Sequence, residues 1–235
     1  MECLKDDRKK LGEPKYIEEL QWMRGLMTLL VLLGHVNLAI DSSLFHGVFV
    51  QGYCGVDWFF VLSGFLLRYT YRSSENVFNF CKKRFIRIYP VYWLYTLIAL
   101  CLAIASKAIL HRDLVYWISL DFSGIVRSLL LFPTNIGINE LPILAPAWTH
   151  PYEIFFYIFF MLYVGGKKKI FKGVAAVWII AIIVVNALVK PESYLIDFIL
   201  SPLFLEFFFG LFVAEILIGG GKSIRYGEML KSMVF

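Results

Sequence analysis

Six stretches of this chain, about residues 23–41, 54–71, 89–110, 148–164, 172–189 and 196–218, are predominantly apolar and near the length of a bilayer crossing. A hydrocarbon core of about 30 Å asks for roughly 20 such residues per helix. In lipid a backbone must satisfy its own N–H and C=O groups, which an α-helix does within one segment. The expected fold class is therefore all-α, a polytopic transmembrane helical bundle of about six spans. A soluble fold is a poor rival. Apolar residues fill 59% of the 235 positions and charged residues 17%, with a mean hydropathy of +0.69, against roughly half and a quarter in soluble domains.

Around the membrane domain, residues 23–218, the sequence suggests a cytoplasmic leader (1–22) and a cytoplasmic tail (219–235). The leader is charged from Lys5 to Lys10 and broken at Gly12 and Pro14. From Lys15, the spacing of Tyr16, Leu20, Met23 and Met27 predicts a short amphipathic helix. A cleavable signal peptide fits poorly, since the leader is long and the run carries Arg24 and His35. Residues 114–133, with Asp121 and Arg127, read as a helix at the interface or packed against protein. Cys3, Cys54, Cys81 and Cys101 form no CxxC pair and no metal-ligand spacing, so no metal is expected.

Lysine and arginine set the orientation. With six spans and the N-terminus inside, 19 of the 23 basic residues fall on inner segments, and only Lys107, Arg112, Arg127 and Lys190 outside. That asymmetry places both termini in the cytoplasm. The net charge of +5 then reflects topology, and nucleic acid is not an expected partner; membrane lipid is.

Ionisable groups at membrane depth are costly and point to function. Arg24 and His35 are 11 residues apart, about three turns, so they share a helix face about 16 Å apart along the axis. This puts Arg24 at the cytoplasmic boundary and His35 near the midplane. Ser63, in Gly55-Val56-Asp57-Trp58-Phe59-Phe60-Val61-Leu62-Ser63-Gly64-Phe65, falls close to the level of His35. Gly64 reads as a helix-packing position. Asp57 and Glu153 fall near outer boundaries, and Glu206 in mid-span. Arg68, Arg72 and Lys82-Lys83-Arg84-Arg87 crowd the cytoplasmic side, as an anionic-lipid contact or a phosphate-binding mouth.

These residues resemble the membrane-bound acyltransferase-3 family, whose members move acyl groups, often acetyl, from coenzyme A to hydroxyls of sugars and other acceptors. Its Arg-x10-His signature is matched by Arg24 and His35, and its GVDxFFVLSGF block by Gly55 to Phe65. The family's basic block is matched from Phe80 through Lys82, Lys83, Arg84 and Arg87 to Pro90, Tyr92 and Trp93. A further block is matched by Trp148, Thr149, Glu153, Phe156 and Tyr157, and an E-F-x-x-G block by Glu206, Phe207 and Gly210. His150-Pro151 stands where Leu-Ser is usual, and Pro151 is expected to disturb the helix start. Family members continue for several more spans, so the chain is expected to be C-terminally short, with Glu206 facing lipid and a homo-oligomer as one consequence.

The resemblance implies an integral, multi-pass acyltransferase of the bacterial cytoplasmic membrane, with acyl-CoA, chiefly acetyl-CoA, as donor substrate and no permanently bound cofactor. The acceptor would be a carbohydrate or lipid-linked hydroxyl. Arg24, Arg84 and Arg87, with Arg68 nearby, would hold the donor's phosphates, because guanidinium binds phosphate through a bidentate fork. His35 would act as general base or acyl carrier. Ser63, Trp148 or Tyr157 would polarise the oxyanion, and Glu153, near the outer face, would meet the acceptor hydroxyl or orient the base. Two other readings compete. A proton-coupled transporter would also place His35 and Glu206 at the midplane but needs no phosphate mouth, and a non-catalytic truncated relative would suit a short chain.

Overall fold

The computed structural model describes residues 18–39, 54–71, 75–111, 121–133, 141–189 and 193–219. The expected amphipathic start at Lys15 and Tyr16, and the tail from residue 220, lie outside the described residues. Among those described, every regular element is helical: α1 (Glu18–Ala39), α2 (Cys54–Tyr69), α3 (Val77–Leu110), α4 (Phe122–Leu129), a 3-10 turn (Ala145–Thr149), α5 (His150–Val164), α6 (Lys168–Leu188), α7 (Tyr194–Ile199) and α8 (Leu203–Gly219).

Three helical stretches are long and apolar enough to cross a membrane by length and composition alone: Val77–Leu110, Lys168–Leu188 and Tyr194–Ile218. At 16 and 15 residues, α2 and α5 reach only about 24 and 22 Å. Outward faces carry the apolar load. Val177, Ile180 and Leu188 on α6, and Phe209, Phe212 and Ile216 on α8, are all more than half exposed. In water such stripes would be costly, and in a bilayer they meet their own kind of solvent.

The third span starts earlier than the sequence reading places it. The helix begins at Val77 instead of residue 89, with the Asn76 side chain accepting from the Asn79 N–H at 2.8 Å. It runs unbroken for 34 residues through Pro90, about 51 Å. Lys82, Lys83, Arg84 and Arg87 therefore ride on helical turns that continue into the apolar segment. The physical reason is that straight-chain Lys and Arg are good helix formers, so their charge marks a change of solvent and leaves the helix intact.

Pro151 does not disturb α5. It sits in the first turn, where its missing N–H would have had no intrahelical partner, and the 3-10 turn feeds directly into it. The sixth stretch is interrupted at Leu200–Pro202. There α6 supplies the missing partners, since Trp178 Nε1 donates to the Ile199 carbonyl at 2.7 Å and Asn186 Nδ2 to the Leu200 carbonyl at 2.8 Å. The segment at 121–133 packs against protein, one of its two expected placements. Tyr92 Oη donates to the Ser128 carbonyl at 2.6 Å and Trp93 Nε1 to the Leu129 carbonyl at 2.9 Å.

The chain divides into two compact units, residues 1–70 with 207–235, and residues 71–206. In the first, α1 packs on α2 at Gly55, where a Cβ would meet Val31 Cγ2 at 2.8 Å and the Met27 carbonyl at 3.0 Å. On α2 and α8, Gly64 lies against the Phe207 carbonyl and Gly210 against the Val61 carbonyl, too close for any Cβ. In the second unit the core is aromatic, with Phe80, Phe156, Phe160 and Phe204 buried and α3 and α5 packed face to face.

Candidate functional site

In the first unit, α1 carries both Arg24 and His35, as their spacing requires. Both are half-buried. His35 Nδ1 lies 2.8 Å from the Val31 carbonyl, one turn earlier. A carbonyl can only accept, so Nδ1 is the donor in this contact. The contact ties one ring nitrogen of His35 to its own helix. Ser63, on α2, is half-buried beside the close approach at Gly64.

Arg68 also lies on α2, and its guanidinium faces α8. Nε reaches Glu215 Oε1 at 2.8 Å and Nη2 reaches Oε2 at 3.0 Å, a two-pronged ion pair. Glu215 was not among the residues expected to matter. A depth count finds it: in the expected topology α2 and α8 both run from outside to inside, and Arg68 and Glu215 both stand near the inner end. Glu206, the last residue of the second unit, has its Oε2 buried, not turned to lipid as expected, because the turn of α8 around it is buried, Phe204 and Phe207 included.

In the second unit, α3 and α5 run antiparallel. This brings Phe80 to Phe160, Cys81 to Met161 at 3.4 Å and Tyr92 to His150. Arg84 falls between these levels, its guanidinium 5.2 Å from the centroid of Phe80 and 5.1 Å from that of Tyr157. Its Nε is buried and has no hydrogen-bond partner among the described residues. Tyr157 in turn donates its hydroxyl to Glu153, one turn earlier on α5. Arg87, exposed on α3, acts electrostatically on the same tyrosine.

Glu153, Tyr157, Arg84 and Arg87 therefore belong to one cluster. The sequence reading set them at opposite membrane boundaries, with Glu153 near the outer face and Arg84 near the inner. The antiparallel packing of α5 on the early turns of α3 overrides that placement. Trp148 lies apart from this cluster, in the 3-10 turn, its ring edge-on to Tyr152 at 6.1 Å between centroids. Tyr152 packs on Phe198 and Phe204. Phe80, which the sequence offered only as the first residue of the basic block, is a ring neighbour of Arg84. It precedes Arg84 by four residues, one helical turn, once the block is seen to be helical. Among the described residues, no three His, Cys, Asp or Glu side chains gather as metal ligands would.

Known proteins match this chain along most of its length. An acyltransferase domain matches residues 17–226. The exopolysaccharide production protein ExoZ of Rhizobium meliloti (strain 1021) is 29% identical over 175 residues, covering 73% of this chain and 53% of that protein. The acyltransferase MdmB of Streptomyces mycarofaciens is 30% identical over 140 residues, covering 56% of this chain and 33% of that one. The chain thus spans about half the length of the first relative and a third of the second. No solved structure matches. The Arg24–His35 helix, the block from Gly55 to Phe65, the basic turns of α3 and the Trp148–Tyr157 segment all fall within the matched residues, and the chain belongs to the acyltransferase-3 family.

Proposed function

We propose that the protein moves an acyl group, acetyl foremost, from coenzyme A to a hydroxyl of a sugar, polysaccharide or lipid-linked acceptor. It would do so as a six-span protein of the bacterial cytoplasmic membrane. The observation that carries this reading is the placement of His35 on one helix with Arg24, its Nδ1 held by the Val31 carbonyl. The name of the ExoZ relative, an exopolysaccharide production protein, favours a polysaccharide hydroxyl as acceptor.

His35 Nε2 takes the proton of the acceptor hydroxyl as its oxygen attacks the thioester carbonyl carbon. The new C–O bond forms, the C–S bond breaks, and the imidazolium returns its proton to the departing thiolate. The products are the ester and free coenzyme A. Tyr157 already donates to Glu153, and Ser63, in the same unit as His35, is the donor to the oxyanion. Arg24, Arg84 and Arg87 meet the donor's phosphates. Arg84 suits the task, because a guanidinium held over two rings with a buried, unbonded Nε gains more from an anion than a hydrated lysine would.

The test is direct. The protein reconstituted in nanodiscs, with a soluble polyol supplied as the acceptor hydroxyl, should bind acetyl-CoA and release coenzyme A thiol with saturation kinetics. Absence of both binding and release overturns the proposal.

A further inference from the structure

Tyr157 touches both parts of the second unit's cluster, with different atoms. Its ring and that of Phe80 both support the Arg84 guanidinium, and the two rings meet edge to face, 6.3 Å between centroids. Its hydroxyl donates to Glu153 Oε1. Among the described residues Glu153 makes no ion pair with Arg84 or Arg87, so the carboxylate is oriented by a phenol and remains an acceptor. A carboxylate with one oxygen engaged by Tyr157 offers the other, Oε2, to a ligand hydroxyl. The residue spacing serves this arrangement, since Glu153 and Tyr157 are one turn apart on α5 and Phe80 and Arg84 one turn apart on α3.

We infer that Tyr157 is a positioning residue with two separable roles, its ring aligning Arg84 for the acyl donor's phosphate and its hydroxyl aiming Glu153 at the acceptor's hydroxyl. The inference rests on the acyltransferase reading and adds an acceptor-side subsite centred on Glu153 Oε2, taking a neutral polyol hydroxyl. Phe80 shares only the first role, since its ring meets Arg84 and has no polar atom. The two roles therefore separate by mutation.

The experiment compares Phe80→Leu with Tyr157→Phe in the reconstituted full chain with a polyol supplied as acceptor, reading acetyl-CoA affinity and the saturating rate of thiol release. Phe80→Leu should raise the acetyl-CoA requirement about three- to tenfold, the scale of one lost cation–π contact, and affect the saturating rate less. Tyr157→Phe keeps the ring and loses the hydroxyl. It should do the reverse, cutting the saturating rate about tenfold or more, the scale of one hydrogen bond to a charged group. Glu153→Gln should match Tyr157→Phe in this split. If the two aromatic variants change affinity and rate in the same proportion, Tyr157 is a packing residue and the inference fails while the acyltransferase reading stands. If the unaltered protein neither binds acetyl-CoA nor releases thiol, both fall together.

Discussion

Arg68 and Glu215, 147 residues apart in sequence, face each other through two parallel hydrogen bonds of 2.8 and 3.0 Å. The arginine side chain is 13% exposed and the glutamate 33%. That burial makes the pair costly to break from one side, since the remaining charge would lose its partner in a poorly solvated place. Arg68→Gln should therefore lower stability by about 1–3 kcal/mol and leave acetyl-CoA affinity within twofold. Thermal unfolding in detergent beside an acetyl-CoA titration distinguishes this from a phosphate-binding role, which would move affinity first.

A methyl group should be too much at either glycine of the α2–α8 approach. Gly64→Ala would push against the Phe207 carbonyl and Gly210→Ala against that of Val61. Each backbone would have to shift, at about 1–3 kcal/mol for overpacking. Gly173→Ala meets nothing within 4 Å and should be silent. Monodisperse yield after extraction is the readout, and equal yields for all three would contradict the close approach.

The basic turns of α3 carry the donor-binding claim. Arg87→Ala should weaken acetyl-CoA binding more than Lys168→Ala, because Arg87 acts on the Tyr157 cluster while Lys168 lies over Tyr163 at the start of α6. Binding should also weaken as salt rises, since the Debye length shortens from about 10 Å at 0.1 M to about 3 Å at 1 M. Equal losses for the two substitutions would show that the phosphates are held elsewhere.

The orientation can be read with single cysteines in a cysteine-free background. Lys168→Cys should be shielded from an impermeant thiol reagent in intact cells, and Ser193→Cys should react. Labelling of the first from outside would overturn the six-span arrangement.

How much of this could be read without coordinates depends on the residue. The shared face of Arg24 and His35 follows from their spacing and the helix repeat alone, and the structure places both on α1. The start of α3 was not legible from hydropathy, because Lys82 to Arg87 look like loop to a measure that scores charge as solvent. The level of Glu153 was lost for a related reason. Apolar boundaries locate each helix separately, whereas the contact of Arg84 with Tyr157 depends on how far α5 slides along α3, which is set by interlocking rings such as Phe80 and Phe160. Glu215 carries no local signal at all. Its importance comes from Arg68, and only a comparison of depths on two distant helices brings them together.

The central claim, that His35 moves the acceptor's proton, is tested most directly by the rate of thiol release from acetyl-CoA in the unaltered protein and in His35→Gln. Glutamine keeps a hydrogen-bonding side chain of similar reach but cannot take a proton at neutral pH. A structural histidine would be worth about 0.6 kcal/mol as an interhelical hydrogen bond, which glutamine largely restores. The account predicts normal abundance and a rate lowered about a hundred- to ten-thousand-fold. Near-normal thiol release by His35→Gln would contradict it.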